Sequence, residues 1–231
     1  MNRTLLAGAA ALTLAVPANA ETRTYDLPGF TEIDLSAGVR LEFEAGETQS
    51  IIAETENGDF EKLRVEVDGD TLVIGRRRSS GWNWGRRNRD NFTVTVTAPA
   101  IEALDASSGS SATANGFAGD YIEISASSGA SVYASGIAGN AVELDASSGA
   151  SLSAEGECGA LEADASSGAS VSAGTLACTS VEADVSSGAS INAYATESVD
   201  GEASSGGSIT VKGGATNVQI DKSSGGSVTV S

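Results

Sequence analysis

The second half of the chain alternates apolar and polar residues with a period of two, which is the pattern of β-strands. For example, Leu144 and Ala146 are apolar, and Asp145 between them is polar. No stretch shows the periodicity of an amphipathic helix. The alternation therefore predicts an all-β chain whose strands turn one face toward a core.

A motif of the form Ser-Ser-Gly-[Ala/Ser/Gly]-Ser recurs, and its successive glycines are 18 to 20 residues apart. Such a repeat is typical of solenoids, in which each unit buries its apolar side against its neighbours. Short strands without helices predict one coil of a parallel β-helix per repeat, with coils about 4.8 Å apart. Disordered Ser/Gly-rich sequence is the alternative, but the unbroken apolar column argues against it. The motif glycines are Gly109, Gly129, Gly149, Gly168, Gly188, Gly206 and Gly225.

The motif also predicts the structure of the corner between two strands. We expect its glycine to adopt a φ value that other residues avoid. We expect the flanking serine hydroxyls to form ladders from one coil to the next.

The N-terminal third carries a divergent form of the unit, with Ser36-Ala37-Gly38 in place of Ser-Ser-Gly. Larger apolar residues follow, alternating between Gly and Asp turns, and they predict antiparallel hairpins. These hairpins are expected to cap the solenoid, since an exposed end strand would template aggregation. The predicted organisation is a cap region over residues 21–99 and a β-solenoid over residues 100–231, forming one continuous domain.

Residues 1–20 are typical of a secretory signal peptide. Arg3 supplies the positive start, an apolar stretch runs from Leu5 to Val16, and Ala18-Asn19-Ala20 forms the cleavage site. A buried N-terminal helix is the alternative. We expect the mature chain to begin at Glu21, to have no transmembrane segment, and to be exported.

Composition removes several classes of function. The 231 residues include no histidine, which argues against Ser-His-Asp and Cys-His catalysis and against most zinc and haem sites. A formal net charge of −18 argues against binding to nucleic acid. Aromatic residues make up 5% and apolar residues 40%, which fits a core of tightly layered small side chains.

Carboxylates recur four and six residues before the motif glycine. On adjacent coils they would lie about 4.8 Å apart, which should raise some of their pKa values. Calcium would relieve the repulsion between these carboxylates and is the one cofactor that the sequence suggests. The alternative to a calcium site is a solvated charged face that binds no ion. An enzyme that cleaves polysaccharides also needs two carboxylates close together. In this repeat, however, no pair of carboxylates differs from the others. The calcium candidates are Glu143, Asp145, Glu162, Asp164, Glu182 and Asp184.

The segment 76–89 holds six of the 13 basic residues and both tryptophans. Arginine pairs with anionic groups and tryptophan offers a stacking surface, so this segment is a candidate site for an anionic glycan, lipopolysaccharide or protein. The alternatives are a variable loop between two hairpin strands and a loop that docks on the acidic coils. The candidate ligand-binding residues are Arg76, Arg77, Arg78, Trp82, Trp84, Arg86, Arg87 and Arg89.

The two cysteines occupy the same position in neighbouring repeats. Cys158 and Cys178 each lie ten residues before the motif glycine, so their Cα atoms should be about 5 Å apart, within disulfide range. In an exported protein this spacing predicts a structural disulfide rather than a redox or metal site.

Three features together resemble a known bacterial family. Residues 68–72 form an Asp-Gly-Asp-Thr-Leu turn, residues 95–105 read Thr-Val-Thr-Ala-Pro-Ala-Ile-Glu-Ala-Leu-Asp, and Ser-Ser-Gly coils follow. Over about residues 25–230 this combination resembles the "putative auto-transporter adhesin, head GIN domain" family. The resemblance implies an exported β-solenoid with an adhesin-like role, and it supplies no catalytic residues.

The sequence thus predicts an exported, non-enzymatic interaction module at the cell surface or in the periplasm. A calcium- or glycan-binding module is the second hypothesis, and a polysaccharide-active β-helix enzyme is the third. The expected partner is a cell-surface glycan or protein.

Overall fold

The computed structural model describes residues 21–56, 59–77 and 91–231. Within these ranges the chain forms strands and one short 3₁₀ turn at Phe60–Lys62, with no α-helix and therefore no helix long and apolar enough to cross a membrane. The strands of the described ranges are β1 (Glu21–Tyr25), β2 (Glu32–Leu35), β3 (Arg40–Ala45), β4 (Ser50–Thr55), β5 (Leu63–Asp68), β6 (Thr71–Arg76), β7 (Phe92–Ala98), β8 (Ala103–Ala106), β9 (Ser111–Ala126), β10 (Ser131–Ala146), β11 (Ser151–Ala165), β12 (Ser170–Val185), β13 (Ser190–Ala203), β14 (Ser208–Lys212), β15 (Asn217–Lys222) and β16 (Ser227–Val230).

Successive coils form the body of the molecule. Each of β9 to β13 runs from one Ser-Ser-Gly corner to the next, and β14 with β15 completes a further coil. Neighbouring coils pair in parallel in the register that the glycine period predicts, so that Leu144 lies opposite Ile124 on one side and Ala163 on the other. The buried apolar residues form a single cluster from Phe30 to Val228. The predicted parallel β-solenoid is confirmed.

Each corner is a four-residue turn with two left-handed residues. At one of them, Ser128 has φ 52°, Gly129 has φ 73°, and the Ala130 amide donates to the Ser127 carbonyl oxygen at 3.0 Å. Two central residues with positive φ are typical of a type I′ turn. The left-handed glycine was expected, but the left-handed serine before it was not. Among the described residues, Ala37, Ser108, Ser128, Ser148, Ser167, Ser187, Ser205 and Ser224 share this conformation.

The main chain carries the ladder between corners, rather than the serine hydroxyls. The Gly129 amide donates to the Ser148 carbonyl oxygen at 3.1 Å, and this bond repeats from corner to corner. Among the serines that flank the described corners, two hydroxyls bond to a neighbouring coil: Ser190 Oγ donates to Ser170 Oγ at 3.3 Å, and Ser110 Oγ donates to the Leu35 carbonyl oxygen at 3.4 Å. In this turn the glycine amide points toward the next coil and makes the bond that the serine hydroxyls were expected to make. The predicted hydroxyl ladder is therefore wrong.

The N-terminal region both extends the solenoid and caps it. Strands β2 and β3 pair in parallel with β8 and β9, and β6 and β7 pair in parallel with the other side of β2 and β3. Antiparallel pairs then close the end: β5 with β6, β4 with β7, and β1 with β4.

The hairpin prediction is therefore right for β5 and β6 but wrong for β6 and β7. These two strands do not pair with each other; they form consecutive sides of one coil. Leu72 of β6 lies opposite Ile33, and Val94 of β7 lies opposite Leu41, so both strands add residues to the core columns. This burial of apolar side chains favours the coil over an isolated hairpin.

Cys158 on β11 and Cys178 on β12 lie opposite each other and form a disulfide, with their Cα atoms 4.5 Å apart. The predicted bond is confirmed. A bond across this sequence separation stabilises the fold by about 3 kcal/mol in the loop-entropy description. Cys178 is buried and Cys158 is half-buried, so the bond joins two coils at the margin of the core.

Candidate interaction surface

Two columns of acidic residues cover the outer face of the strands that lead into the corners. Because parallel strands are in register, residues at equal distances from the corner stack directly: Asp145 lies opposite Asp164, which lies opposite Asp184. We call the first column, four residues before the motif glycine, the Asp column: Asp105, Asp145, Asp164, Asp184, Glu202 and Asp221. The second, six residues before it, is the Glu column: Glu123, Glu143, Glu162, Glu182 and Asp200.

The pKa values of the aspartates in the middle of the Asp column are raised. The pKa of Asp145 and that of Asp164 are each raised to about 6. The largest cause in both is partial burial, which disfavours the charged form, and the surrounding carboxylates raise the pKa further. The pKa of Asp105 is also raised, first by burial and then by Asp34 and Glu123. The spacing of the carboxylates predicts the direction of these pKa shifts, but it does not predict that partial burial is their largest cause.

A groove runs beside the Asp column on the side of the corners. It has a volume of about 580 Å³, and one carboxylate and one serine from each coil line it. We call it the Asp groove. Its carboxylate and serine lining is Asp145, Asp164, Asp184, Glu202 and Asp221 with Ser147, Ser166, Ser186, Ser204 and Ser223, and Lys222 lies at the end next to Asp221.

A second concavity, of about 390 Å³, runs beside the Glu column on the opposite side. Its floor contains one residue per coil, eight positions before the motif glycine, and these residues are small except at the two ends. We call it the Glu trough. Its floor column is Tyr121, Ala141, Ala160, Ser180, Ser198 and Asn217, and its wall is Glu143, Glu162, Glu182, Asp200 and Gln219.

Tyr121 is the most prominent side chain of the Glu trough. Tyr121 is 50% exposed, and its hydroxyl donates a hydrogen bond to the Glu143 carboxylate, which holds the side chain at the trough's end. Tyr133, which is 40% exposed, lies on the strand after the corner and outside both concavities. Sequence reasoning missed Tyr121. Its position in a column of otherwise small residues was the available signal.

The six residues predicted for calcium do not converge on one point. Asp145, Asp164 and Asp184 line the Asp groove, whereas the glutamates two positions before each of them line the Glu trough. Within the ranges that the structure describes, no three acidic or cysteine side chains are grouped closely enough to hold a metal ion. Calcium binding remains a prediction, and it would have to use carboxylates of successive coils.

Only the first two residues of the predicted Arg/Trp site lie in the described ranges. Arg76 donates to the Ala37 carbonyl oxygen at 2.8 Å and lies 5.0 Å from the centre of the Phe92 ring. Arg77 donates to the Leu63 carbonyl oxygen at 3.3 Å. Both guanidinium groups thus make contacts within the chain. The other predicted residues, Arg78, Trp82, Trp84, Arg86, Arg87 and Arg89, lie outside the described ranges.

The repeat and the capped solenoid can be compared with known proteins. The family described as "Putative auto-transporter adhesin, head GIN domain" matches residues 29–215. The chain belongs to this family. Residues 29–215 include the whole Glu column and the first five members of the Asp column, whereas Asp221 lies beyond the matched residues. No curated protein matches the chain.

Solved structures share the fold of this head GIN domain at low sequence identity. A putative adhesin from Bacteroides fragilis is 18% identical, with a TM-score of 0.82 over 93% of this chain and 98% of that chain. A putative lipid binding protein from Parabacteroides distasonis is 17% identical, with a TM-score of 0.72 over 93% and 97%. A putative adhesin from Parabacteroides merdae is 18% identical, with a TM-score of 0.65 over 93% and 97%.

Proposed function

We propose that this head GIN domain protein is an exported adhesin-like module that binds a neutral glycan chain along the Glu trough and does not catalyse a reaction on it. The carrying observation is the trough itself: a straight floor of small side chains, walled by carboxylates and closed by an exposed tyrosine. Export is supported by the signal-like residues 1–20 and by the disulfide, since such bonds persist in oxidising compartments.

The trough has the dimensions of a site for a linear polymer. From Tyr121 to Asn217 the floor column crosses five coil steps, or about 24 Å at the spacing of neighbouring strands. Each coil contributes an equivalent set of groups, so a ligand with its own repeat makes the same contacts several times. Several weak equivalent contacts along one chain add up to useful affinity.

The chemistry of the lining favours sugar hydroxyls. Carboxylates such as Glu162 and Glu182 accept hydrogen bonds, while the amides of Asn217 and Gln219 both donate and accept. Tyr121 adds a flat apolar surface on which a sugar ring can stack. A few polar groups beside an aromatic platform are typical of small-molecule sites. The wall of negative charge repels anionic polymers, so the ligand is expected to be uncharged.

The spacing of the wall argues against an extended basic peptide as the ligand. Side chains on one face of an extended peptide recur about every 6.7 Å, whereas the carboxylates of the wall recur about every 4.8 Å. A peptide therefore loses register with the wall after two coils. A chain of linked pyranose rings presents hydroxyls at intervals comparable with the coil spacing and can stay in register.

Binding without catalysis is supported by the sameness of the coils. A glycosidase needs one acid and one partner carboxylate in different environments. Along the Glu trough, Glu143, Glu162 and Glu182 occupy equivalent positions on equivalent strands. A polymer bound along these three coils meets a glutamate at each step.

A glycan array with the full chain tests this proposal. Tyr121→Ala should weaken binding to neutral glycans about tenfold, the effect of losing about 1.4 kcal/mol of stacking. The matched control is Tyr133→Ala, which removes the other strongly exposed tyrosine outside the trough and should leave binding unchanged. The double variant Glu162→Gln/Glu182→Gln should also weaken binding.

Three results would overturn the proposal. The first is that no neutral glycan binds, or that basic peptides bind instead. The second is equal loss from Tyr133→Ala, which would place the site elsewhere. The third is release of shortened sugars from a bound glycan, which would make the protein an enzyme.

A further inference from the structure

A third cavity lies beside the disulfide. Its volume is about 340 Å³, and its lining is Gly119, Ala138, Gly139, Asn140, Glu157 and Cys158. We call it the glycine cavity. We infer that it is a site of thiol–disulfide exchange, at which a small thiol attacks Cys158 and displaces Cys178. This inference goes beyond the proposed glycan site and is independent of it.

The two cysteines differ in their access to solvent. Cys178 is 2% exposed and does not line the cavity, whereas Cys158 is half-buried and does line it. Which sulfur of a disulfide is attacked depends on the access that each one offers. A thiol in the glycine cavity therefore meets Cys158 and not Cys178.

The alignment of the coils also favours attack on Cys158. Gly119, Gly139, Cys158, Cys178 and Ala195 lie opposite one another on the successive strands β9 to β13. An attacking thiolate approaches a sulfur from the side opposite the sulfur that leaves. For Cys158 that side faces β10, where Gly139 has no side chain to obstruct the approach. For Cys178 it faces β13, where Ala195 is buried.

The reaction exchanges one disulfide for another. The external thiolate donates its electron pair to Sγ of Cys158, and the pair of the broken S–S bond leaves with Sγ of Cys178, which takes a proton from water. The products are a mixed disulfide between Cys158 and the small thiol, and a free thiol at Cys178. Burial favours the neutral thiol over the thiolate, so Cys178 is slow to attack in return and the mixed disulfide persists.

The charge around the cavity selects the class of thiol. The charged side chain in the lining is that of Glu157, which is exposed. A thiol attacks as its thiolate, so this carboxylate repels thiols that carry a further negative charge. The expected reactant is a small thiol with a cationic group, such as cysteamine, whose thiolate has no net charge.

Reaction of the oxidised full chain with three thiols tests the inference. Cysteamine, 2-mercaptoethanol and 2-mercaptoethanesulfonate are compared at equal thiolate concentration, and early samples are quenched in acid and mapped by peptide mass spectrometry. The adduct should lie on Cys158, and its rate of formation should fall in the order given. The rate should not change in urea below the unfolding transition, because the folded protein reacts. Equal adducts on both cysteines, or a rate that rises with the first additions of urea, would overturn the inference.

A charge reversal at the cavity gives a matched comparison. Glu157→Lys should raise the rate with 2-mercaptoethanesulfonate by about three- to tenfold through nearby charge. The control is Glu42→Lys, which makes the same change at an exposed residue of β3 outside the cavity and should leave the rate almost unchanged. An equal effect of both variants would show that only total charge matters and would overturn the inference.

The open approach is tested at Gly139. Gly139→Ala places a methyl group opposite Cys158 and should slow the reaction at least about threefold, whereas Gly29→Ala, far along the chain, should not. The added Cβ would lie 2.8 Å from Cδ1 of Ile122, the flexible end of a side chain that must shift, so the melting temperature is measured with the rate. An unchanged rate in the folded variant would overturn the inference. If this variant does not fold, the Glu157 comparison decides.

Discussion

At the scale of single residues, the corner turn sets the shape of every coil. Two successive left-handed residues reverse the chain within four positions, and only glycine adopts that region without a steric penalty. At Gly149, φ is 72°, and a Cβ atom placed there would meet no other atom within 4 Å. Any cost of adding a side chain there must come from the backbone itself.

Gly149→Ala should therefore lower the free energy of unfolding by about 1–2 kcal/mol, the penalty of a left-handed L-residue. Urea unfolding measures the change. Gly29→Ala is the matched control, because Gly29 is not left-handed and a Cβ atom added there would come no closer than 4.0 Å to Gln49. An equal loss in both variants would show that backbone strain is not the cause.

Sequence reasoning was most accurate for residues whose position follows from the repeat. Cys158 and Cys178 were paired correctly because a fixed count from the motif glycine becomes a fixed place on the coil. The left-handed conformation of Ser128 was missed because serine, unlike glycine or asparagine, is not typical of that conformation. Tyr121 was missed because a repeat predicts what its coils share, and tyrosine stands at this position in one coil of the repeat.

At the scale of strands, β6 and β7 lie side by side with β2 and β3 as two consecutive sides of a coil. Strand β6 pairs with β2 and β7 pairs with β3, and β2 and β3 are joined by the short turn at Ala37 and Gly38. Alternation alone could not distinguish a hairpin from two sides of a coil, because both bury every second residue. The deciding fact is which neighbouring strand is available for pairing.

Replacing Trp82, Trp84, Arg86 and Arg87 with Ser tests the predicted Arg/Trp site. Because the rest of the chain is strongly acidic, attraction to anionic vesicles or anionic glycans should come from this segment and should be lost in the variant. Melting temperature and binding are measured on the same sample. Lower stability with unchanged binding would indicate that the segment docks on its own coils, and no change in either would contradict both interpretations.

At the scale of the whole molecule, stacked coils convert a short repeat into long stripes of charge. Eleven of the 31 acidic residues lie along the two acidic columns. This arrangement opposes folding, because each added coil brings further carboxylates into line.

Millimolar calcium should raise the melting temperature, because it screens the aligned carboxylates of the folded state better than those of the unfolded chain. Magnesium should do less, since it gives up its water ligands reluctantly. Sodium chloride at equal ionic strength is the control for screening alone. An unchanged melting temperature across the calcium titration would leave the acidic face with a solubility role.

The disulfide has a mechanical consequence for a molecule of this shape. When tension is applied at the C-terminal end, coils peel from the rod one at a time, because each coil is held chiefly by its neighbours. At Cys178 the load passes through the disulfide directly to Cys158, because this bond cannot be opened by breaking hydrogen bonds. The residues between the two cysteines are therefore not extended by the load, and the length released when their coil detaches is shorter by this loop.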